Sequence, residues 1–297
     1  MFDSSAYSRL VVFGEVLFDC FEGGERVLGG APFNVAWHCQ AFGLQPLFIS
    51  RLGDDSLGQE VSAAMHNWGM ETSGVQLDTT HPTGKVDVSI VNGEPSYNIV
   101  ENSAWDFIEH QQLPEIDQHS VLYHGSLALR NPQAAKSLEH LKQQCSGSVF
   151  IDVNLRPPWW NSSHIEALMQ QATWIKLNAD ELALLVPQQK DLHSRAHYLL
   201  AQLNVKLIVV TQGEAGAIAI TENEQCSIQP DNTGHVIDTV GAGDAFSSVL
   251  LLGLYSGWPL QQILNRAQQF ASAVVGQRGA TTQDKTFYAP FIKSWNL

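Results

Sequence analysis

The stretch Asp238-Thr239-Val240-Gly241-Ala242-Gly243-Asp244-Ala245-Phe246 carries the sharpest chemical signal in the chain, and it opens a helical pattern through Val249, Leu250, Leu251 and Leu254. Two glycines let successive backbone N–H groups turn outward at a helix N-terminus, where the helix dipole also favours negative charge. That is an anion cradle. Asp244 falls in the first helical turn beside it, where a carboxylate repels an anion. The spacing fits a base that takes a proton from an attacking hydroxyl while neighbouring amides stabilise charge on a transferred phosphoryl group. An aspartate that only caps the helix fits equally well, so the motif alone leaves both roles open.

Other phosphate-binding loops fail on spacing. A Walker A loop needs Gly-Lys followed by Ser or Thr, whereas Gly84-Lys85 is followed by Val86. A dinucleotide fingerprint belongs after the first strand, yet Phe13 is followed by Gly14-Glu15-Val16-Leu17, without Gly-x-Gly-x-x-Gly. Eleven histidines are scattered with no H-E-x-x-H pair, and the four cysteines lie too far apart for a redox pair or zinc-ligand spacing.

The elements that must position Asp244 are readable from periodicity. Near-continuous apolar runs at Leu10 to Phe13, Leu47 to Ser50, Val121 to His124, Val149 to Val153, Trp174 to Leu177 and Leu207 to Val210 predict strands of a sheet covered on both faces. Amphipathic stretches at Asn34 to Phe42, Ser56 to Trp68, Pro132 to Cys145, His164 to Ala172 and His193 to Leu203 predict helices between them. Alternation of this kind predicts a doubly wound, mainly parallel α/β sheet. Two segments, about 14–24 and 84–100, break the rhythm. Lys85 to Val91 has a period of two with one apolar face, and Gly93-Glu94-Pro95 turns it into Ser96 to Val100. They predict a small antiparallel β flap, or lid, over one edge of a single domain spanning residues 1–297.

Composition bounds the rest. Sixteen Lys and Arg against 30 Asp and Glu give a formal charge of −14, which disfavours a nucleic-acid partner. With 44 % hydrophobic and 15 % charged residues the chain can bury a large core. Neither a signal peptide nor a run of about 18 apolar residues is present, so the expectation is a cytoplasmic protein with no membrane partner.

Two stretches together resemble the ribokinase-like, or PfkB, carbohydrate kinases, and within them the fructokinase-like branch. The first is Gly29-Gly30-Ala31-Pro32-Phe33-Asn34-Val35-Ala36, followed by Arg51-Leu52-Gly53-Asp54-Asp55-Ser56-Leu57-Gly58; the second is Asp238 to Phe246. They stand in the right order near opposite ends, and the resemblance covers essentially the whole chain. It implies a ribokinase-like fold and an ATP-dependent sugar kinase.

By the same resemblance Asp244 is the catalytic base, and the amides of Gly241, Ala242 and Gly243 form the anion hole. Asp19, Gly30 and Asn34 are sugar contacts. Lys176-Leu177-Asn178-Ala179-Asp180-Glu181 resembles the family's Asn-x-x-Glu element, in which Asn178 and Glu181 organise Mg²⁺ and phosphates through water; the same spacing is also a capping box. Thr211 and Gly213 resemble the turn at the nucleotide. Arg156, in Asp152-Val153-Asn154-Leu155-Arg156, would face the phosphates or the substrate, as suits a guanidinium. The loop from Val274 to Thr282, through Gly279, resembles one that holds a monovalent cation such as K⁺ together with carbonyls near Asp238 and Val240.

One departure bears on specificity. Glu101 stands where many fructokinases carry arginine, so a carboxylate would face an anionic substrate and repel it. The expectation is transfer of the γ-phosphate of ATP, with Mg²⁺, to a primary hydroxyl of a neutral monosaccharide, fructose first. Ribose, another ketose or a nucleoside is the alternative acceptor, and a catalytically silent sugar-binding regulator the alternative function. The one-sided flap further predicts a homodimer, because a two-stranded ribbon needs cover in water.

Overall fold

The computed structural model describes residues 7–91, 94–230 and 236–297. Along the chain run β1 (Leu10–Phe13), β2 (Leu17–Phe21), β3 (Arg26–Gly29), α1 (Ala31–Ala41), β4 (Leu47–Gly53), α2 (Ser56–Trp68), β5 (Val75–Asp78), β6 (Gly84–Val91) and β7 (Glu94–Ile99). The second half carries β8 (Val121–His124), α3 (Pro132–Gln144), β9 (Val149–Asp152), α4 (Ser162–Gln170), β10 (Trp174–Asn178), α5 (Ala179–Leu185), α6 (Leu192–Gln202), β11 (Leu207–Thr211), β12 (Ala217–Ile220), β13 (Gln225–Ile228), α7 (Ala242–Tyr255), α8 (Leu260–Val275) and α9 (Lys285–Trp295).

A nine-stranded sheet has the order β13-β12-β11-β10-β9-β8-β1-β4-β5. The seven strands from β11 to β5 are parallel, whereas β11–β12 and β12–β13 pair antiparallel. The apolar runs are continuous because alternate residues serve opposite faces. Leu10 and Val12 join a core with α1, α2, α7, α8 and α9, while Val11 and Phe13 join another with α3, α4, α5 and α6. This is the doubly wound, ribokinase-like α/β architecture. Strand order reverses between β1 and β8, so a ligand crevice is expected outside the carboxyl ends there.

The lid is a second sheet of order β3-β2-β6-β7. It differs from the expected antiparallel flap in one pairing. β2 and β6 run parallel, and only β2–β3 and β6–β7 are antiparallel. The reason is connectivity: α1, β4, α2 and β5 intervene between β2 and β6, so the chain returns from the main sheet in the direction in which it left. Leu17, Val86, Val88 and Ile99 pack together on one lid face. Gly93, expected in the turn between β6 and β7, lies outside the described residues.

Candidate active site

The carboxyl ends of β1, β9 and β10 and the N-termini of α1 and α7 bring charged or polar groups within reach of Asp244. Gly241 caps α7 with φ 80°. A Cβ there would lie 2.5 Å from Cα of Ala280, so both conformation and space require glycine. The amide of Ala242 makes a long bond to the Thr239 carbonyl at 3.4 Å, and the N-terminus of α7 favours an anion through its first-turn amides and the helix dipole.

Asp244 accepts a hydrogen bond from Nδ2 of Asn34 at 2.8 Å, which joins α7 to α1 across 210 residues of sequence. Asn34 is buried and its Oδ1 has no partner. Gly30, before α1, has φ 109°, and a Cβ on it would lie 2.7 Å from the carbonyl oxygen of Glu15. A Cβ on Gly29 would lie 3.9 Å from both Asn34 Oδ1 and Asp19 Oδ2, so the two side chains converge over that glycine. Burial lifts the carboxyl of Asp19 above its ordinary range, and Arg156 partly offsets this. Burial likewise pushes Asp244 up to about 6; Asn34 opposes the shift, Asp152 adds to it, and Lys176 and Arg156 counter it.

Beneath the cradle lies a buried ion pair. Lys176 Nζ donates to Asp152 at 2.9 and 3.1 Å, and Ser247 Oγ of α7 donates to Asp152 Oδ2 at 2.7 Å. A Cβ on Gly243 would come within 3.3 Å of Lys176 Nζ, so this ammonium underlies the anion cradle directly. Burial opposes its charge, but Asp152, together with Glu181 and Asp244, outweighs that and holds its titration above the ordinary lysine range.

Asn178 and Glu181 form a reciprocal capping box at the start of α5. Glu181 is buried and also accepts from the Leu155 amide at 2.7 Å, which ties α5 to the loop carrying Arg156. Each of its oxygens takes one amide, at Leu155 and Asn178, so further lone pairs remain for a water on a hard cation. Thr211 ends β11, and Gly213 follows with φ 56°. Asp238 accepts from the amides of Val240 and Gly279, both at 3.0 Å, and its own amide bonds the Val275 carbonyl, so the 238–240 and 274–279 segments lie together.

The family model for pfkB carbohydrate kinases matches residues 9–286. This chain belongs to that family. It is a phosphotransferase that acts on a sugar hydroxyl. A fructokinase of Vibrio alginolyticus is 31 % identical, covering 93 % of this chain and 95 % of its own. The structure of Vibrio cholerae fructokinase with fructose, ADP and calcium superposes with TM-score 0.82 at 24 % identity, covering 96 % of this chain and 99 % of the other. Aminoimidazole riboside kinase of Salmonella enterica, complexed with aminoimidazole riboside and an ATP analogue, gives TM-score 0.82 at 25 % identity, covering 93 % and 96 %.

Within this pfkB kinase Asp19, Gly30, Asn34 and Asp244 form one cluster, and Asn178, Glu181 and the Arg156 loop a second one linked to it through Lys176 and Asp152. Glu101 is exposed where the chain leaves β7, and Arg156 is exposed as well. Glu15, Ser247 and the Asp152–Lys176 pair were not assigned roles from sequence. A charged residue inside an apolar parallel strand, as at Ile151-Asp152 and Ile175-Lys176-Leu177, is the signal that points to the pair. Among the described residues no helix is long and apolar enough to cross a membrane.

Proposed function

We propose that this chain is a cytoplasmic, ATP-dependent fructokinase, with sheet and lid acting as one catalytic unit. The observation that carries the reading is the Asn34–Asp244 hydrogen bond beside the α7 cradle, which joins a sugar-binding amide to a base and an anion site. Asp19, Gly30 and Asn34 hold the sugar, and Asp244 takes the proton from its primary hydroxyl. The resulting oxygen attacks the γ-phosphorus of ATP as the bond to the ADP oxygen breaks, and the proton leaves later from Asp244 to water. Amides of Gly241, Ala242 and Gly243 stabilise charge on the moving phosphoryl group. Asn178, Thr211, Gly213 and Arg156 position the nucleotide, and Glu181 holds a Mg²⁺-bound water. When bound, Mg²⁺ neutralises phosphate charge. The carboxylate of Asp238 and the carbonyls of Val240, Val274 and Gly279 are the donors offered to a monovalent cation such as K⁺. Exposed apolar side chains on the lid support a homodimer formed there.

A coupled assay of ADP release on fructose, ribose, a nucleoside, 2-keto-3-deoxygluconate and fructose 1-phosphate tests this. Fructose is expected to have the highest kcat/KM, and the anionic sugars very low turnover because Glu101 repels them. Preferred turnover of the nucleoside, the alternative favoured by likeness to the riboside kinase, or of an anionic sugar sinks the fructose reading. Tight fructose binding without ADP release would make the protein a silent regulator.

A further inference from the structure

Glu15 belongs to no role described above. It follows β1 at the strand-order reversal, is 3 % exposed, and its Oε2 is buried without a hydrogen-bond partner. A buried acceptor left unpaired loses the water it would otherwise bind, so such atoms in a folded protein ask for a ligand. Its backbone lies directly behind the substrate-facing glycine, as the 2.7 Å approach to a Cβ on Gly30 records. Its carboxyl is within electrostatic reach of Asp244 on α7, Arg156 after β9, Arg130 before α3 and Tyr123 on β8. Asn34 Oδ1, over the same glycine pair, is a second acceptor without a partner. Two buried oxygens without partners, one of them on the residue that bonds Asp244, suit a polyhydroxylated ligand, whose hydroxyls both donate and accept.

We infer that Glu15 is a substrate-binding residue, holding a second hydroxyl of the acceptor sugar through its free Oε2 beside the hydroxyl that Asp244 deprotonates. The inference rests on the reading of this chain as a kinase of a neutral sugar and deepens it. Burial pushes the Glu15 carboxyl up to about 7; a hydrogen bond from its own backbone amide and the charge of Arg156 oppose this, Asp244 adds to it, and Arg130 opposes it. With Asp244 ionised as the base, a second carboxylate at this place is disfavoured, so Glu15 serves as the neutral acid and donates its proton to a sugar oxygen. As pH rises through about 7 that donor is lost and a carboxylate faces the sugar oxygen. Sugar affinity therefore falls with rising pH.

The test is calorimetric titration of fructose into nucleotide-free wild type, Glu15→Gln and Glu15→Ala between pH 6.5 and 8.5. Wild-type affinity is expected to fall about tenfold across that range, the worth of one such hydrogen bond. Glu15→Gln, which keeps a donor at every pH, is expected to vary less than about twofold. Glu15→Ala is expected to bind roughly tenfold more weakly at pH 6.5, with affinity for the ATP analogue AMP-PNP unchanged. Wild-type pH dependence retained in Glu15→Gln overturns the inference even if Glu15→Ala fails to fold, and so does fructose affinity in Glu15→Ala within about twofold of wild type. Either result beside normal wild-type turnover of fructose leaves the fructokinase reading standing. A wild type that neither binds nor phosphorylates fructose removes that reading and the role of Glu15 together.

Discussion

At the residue scale, Asp244 is shaped by opposing influences on one carboxyl. Burial raises its proton affinity to about 6, and the Asn34 amide at 2.8 Å favours the ionised form. A base must be ionised to act, so kcat/KM for fructose is expected to fall as pH drops below about 6, and a pH–rate profile checks this. Asp244→Asn keeps the shape and removes the proton acceptor. It is expected to lose roughly 10²- to 10⁴-fold in kcat while fructose and ATP still bind, measured by single-turnover kinetics and calorimetry. A variant retaining more than about a tenth of wild-type kcat would show that another group takes the proton. Asp244 stood out in the sequence through the spacing of its Gly-x-Gly-Asp motif, whereas Gly30 and Asn34 were placed by the family resemblance of theirs, and the fold brings Asn34 onto Asp244. Glu15 was not legible, since a lone glutamate after a strand acquires meaning only when the fold buries its Oε2 without a partner, within electrostatic reach of Asp244.

At the element scale, Asp152 and Lys176 join β9 to β10, and Ser247 adds α7, so three elements share one buried charged junction below the anion cradle. Removing one partner strands the other in low dielectric, at a cost of about 3–5 kcal/mol, whereas removing both is often nearly neutral. Lys176→Met is therefore expected to lower the denaturation midpoint markedly, and the Asp152→Leu/Lys176→Met double variant to recover most of the loss, as chemical denaturation would measure. If stability recovers and kcat stays low, the ammonium serves the cradle and not merely the fold; recovery of both would leave it a structural strut. The parallel strands themselves were legible, because burial on two faces demands unbroken apolar runs such as Leu207–Val210. The parallel strand β5 and the strands β3, β12 and β13 were not read; in β13, Gln225–Ile228, exposed Gln225 and Ser227 break the apolar run. The parallel β2–β6 pairing depends on the path through α1, β4, α2 and β5, which no local pattern encodes.

At the scale of the whole molecule, the lid divides its apolar side chains in two. Leu17, Val86 and Val88 are covered within the chain, together with half-buried Ile99. Phe21 and Tyr97 are not, at 37 % and 57 % exposure, and both stand opposite Val88 in the pairings of β2 and β7 with β6. Opposite residues of adjacent strands share a sheet face, so the uncovered rings continue the face that holds Val88. A two-fold contact between two such faces would cover them, the commonest form of association among soluble chains. The formal charge of −14 opposes it, but that repulsion is screened beyond about 8 Å at physiological salt, and apolar contact acts at shorter range. Sedimentation at micromolar concentration is expected to give about twice the 32.7 kDa of the chain. Tyr97→Asp places a charge on the exposed face without opening the covered cluster, so it is expected to shift the protein towards monomer with its denaturation midpoint nearly unchanged. Because Asp19 lies on β2 of the same lid, the monomeric variant is also expected to bind fructose more weakly, its lid no longer braced over the site. A wild-type monomer would dismiss this interface, and a dimer indifferent to Tyr97→Asp would place the contact on another face.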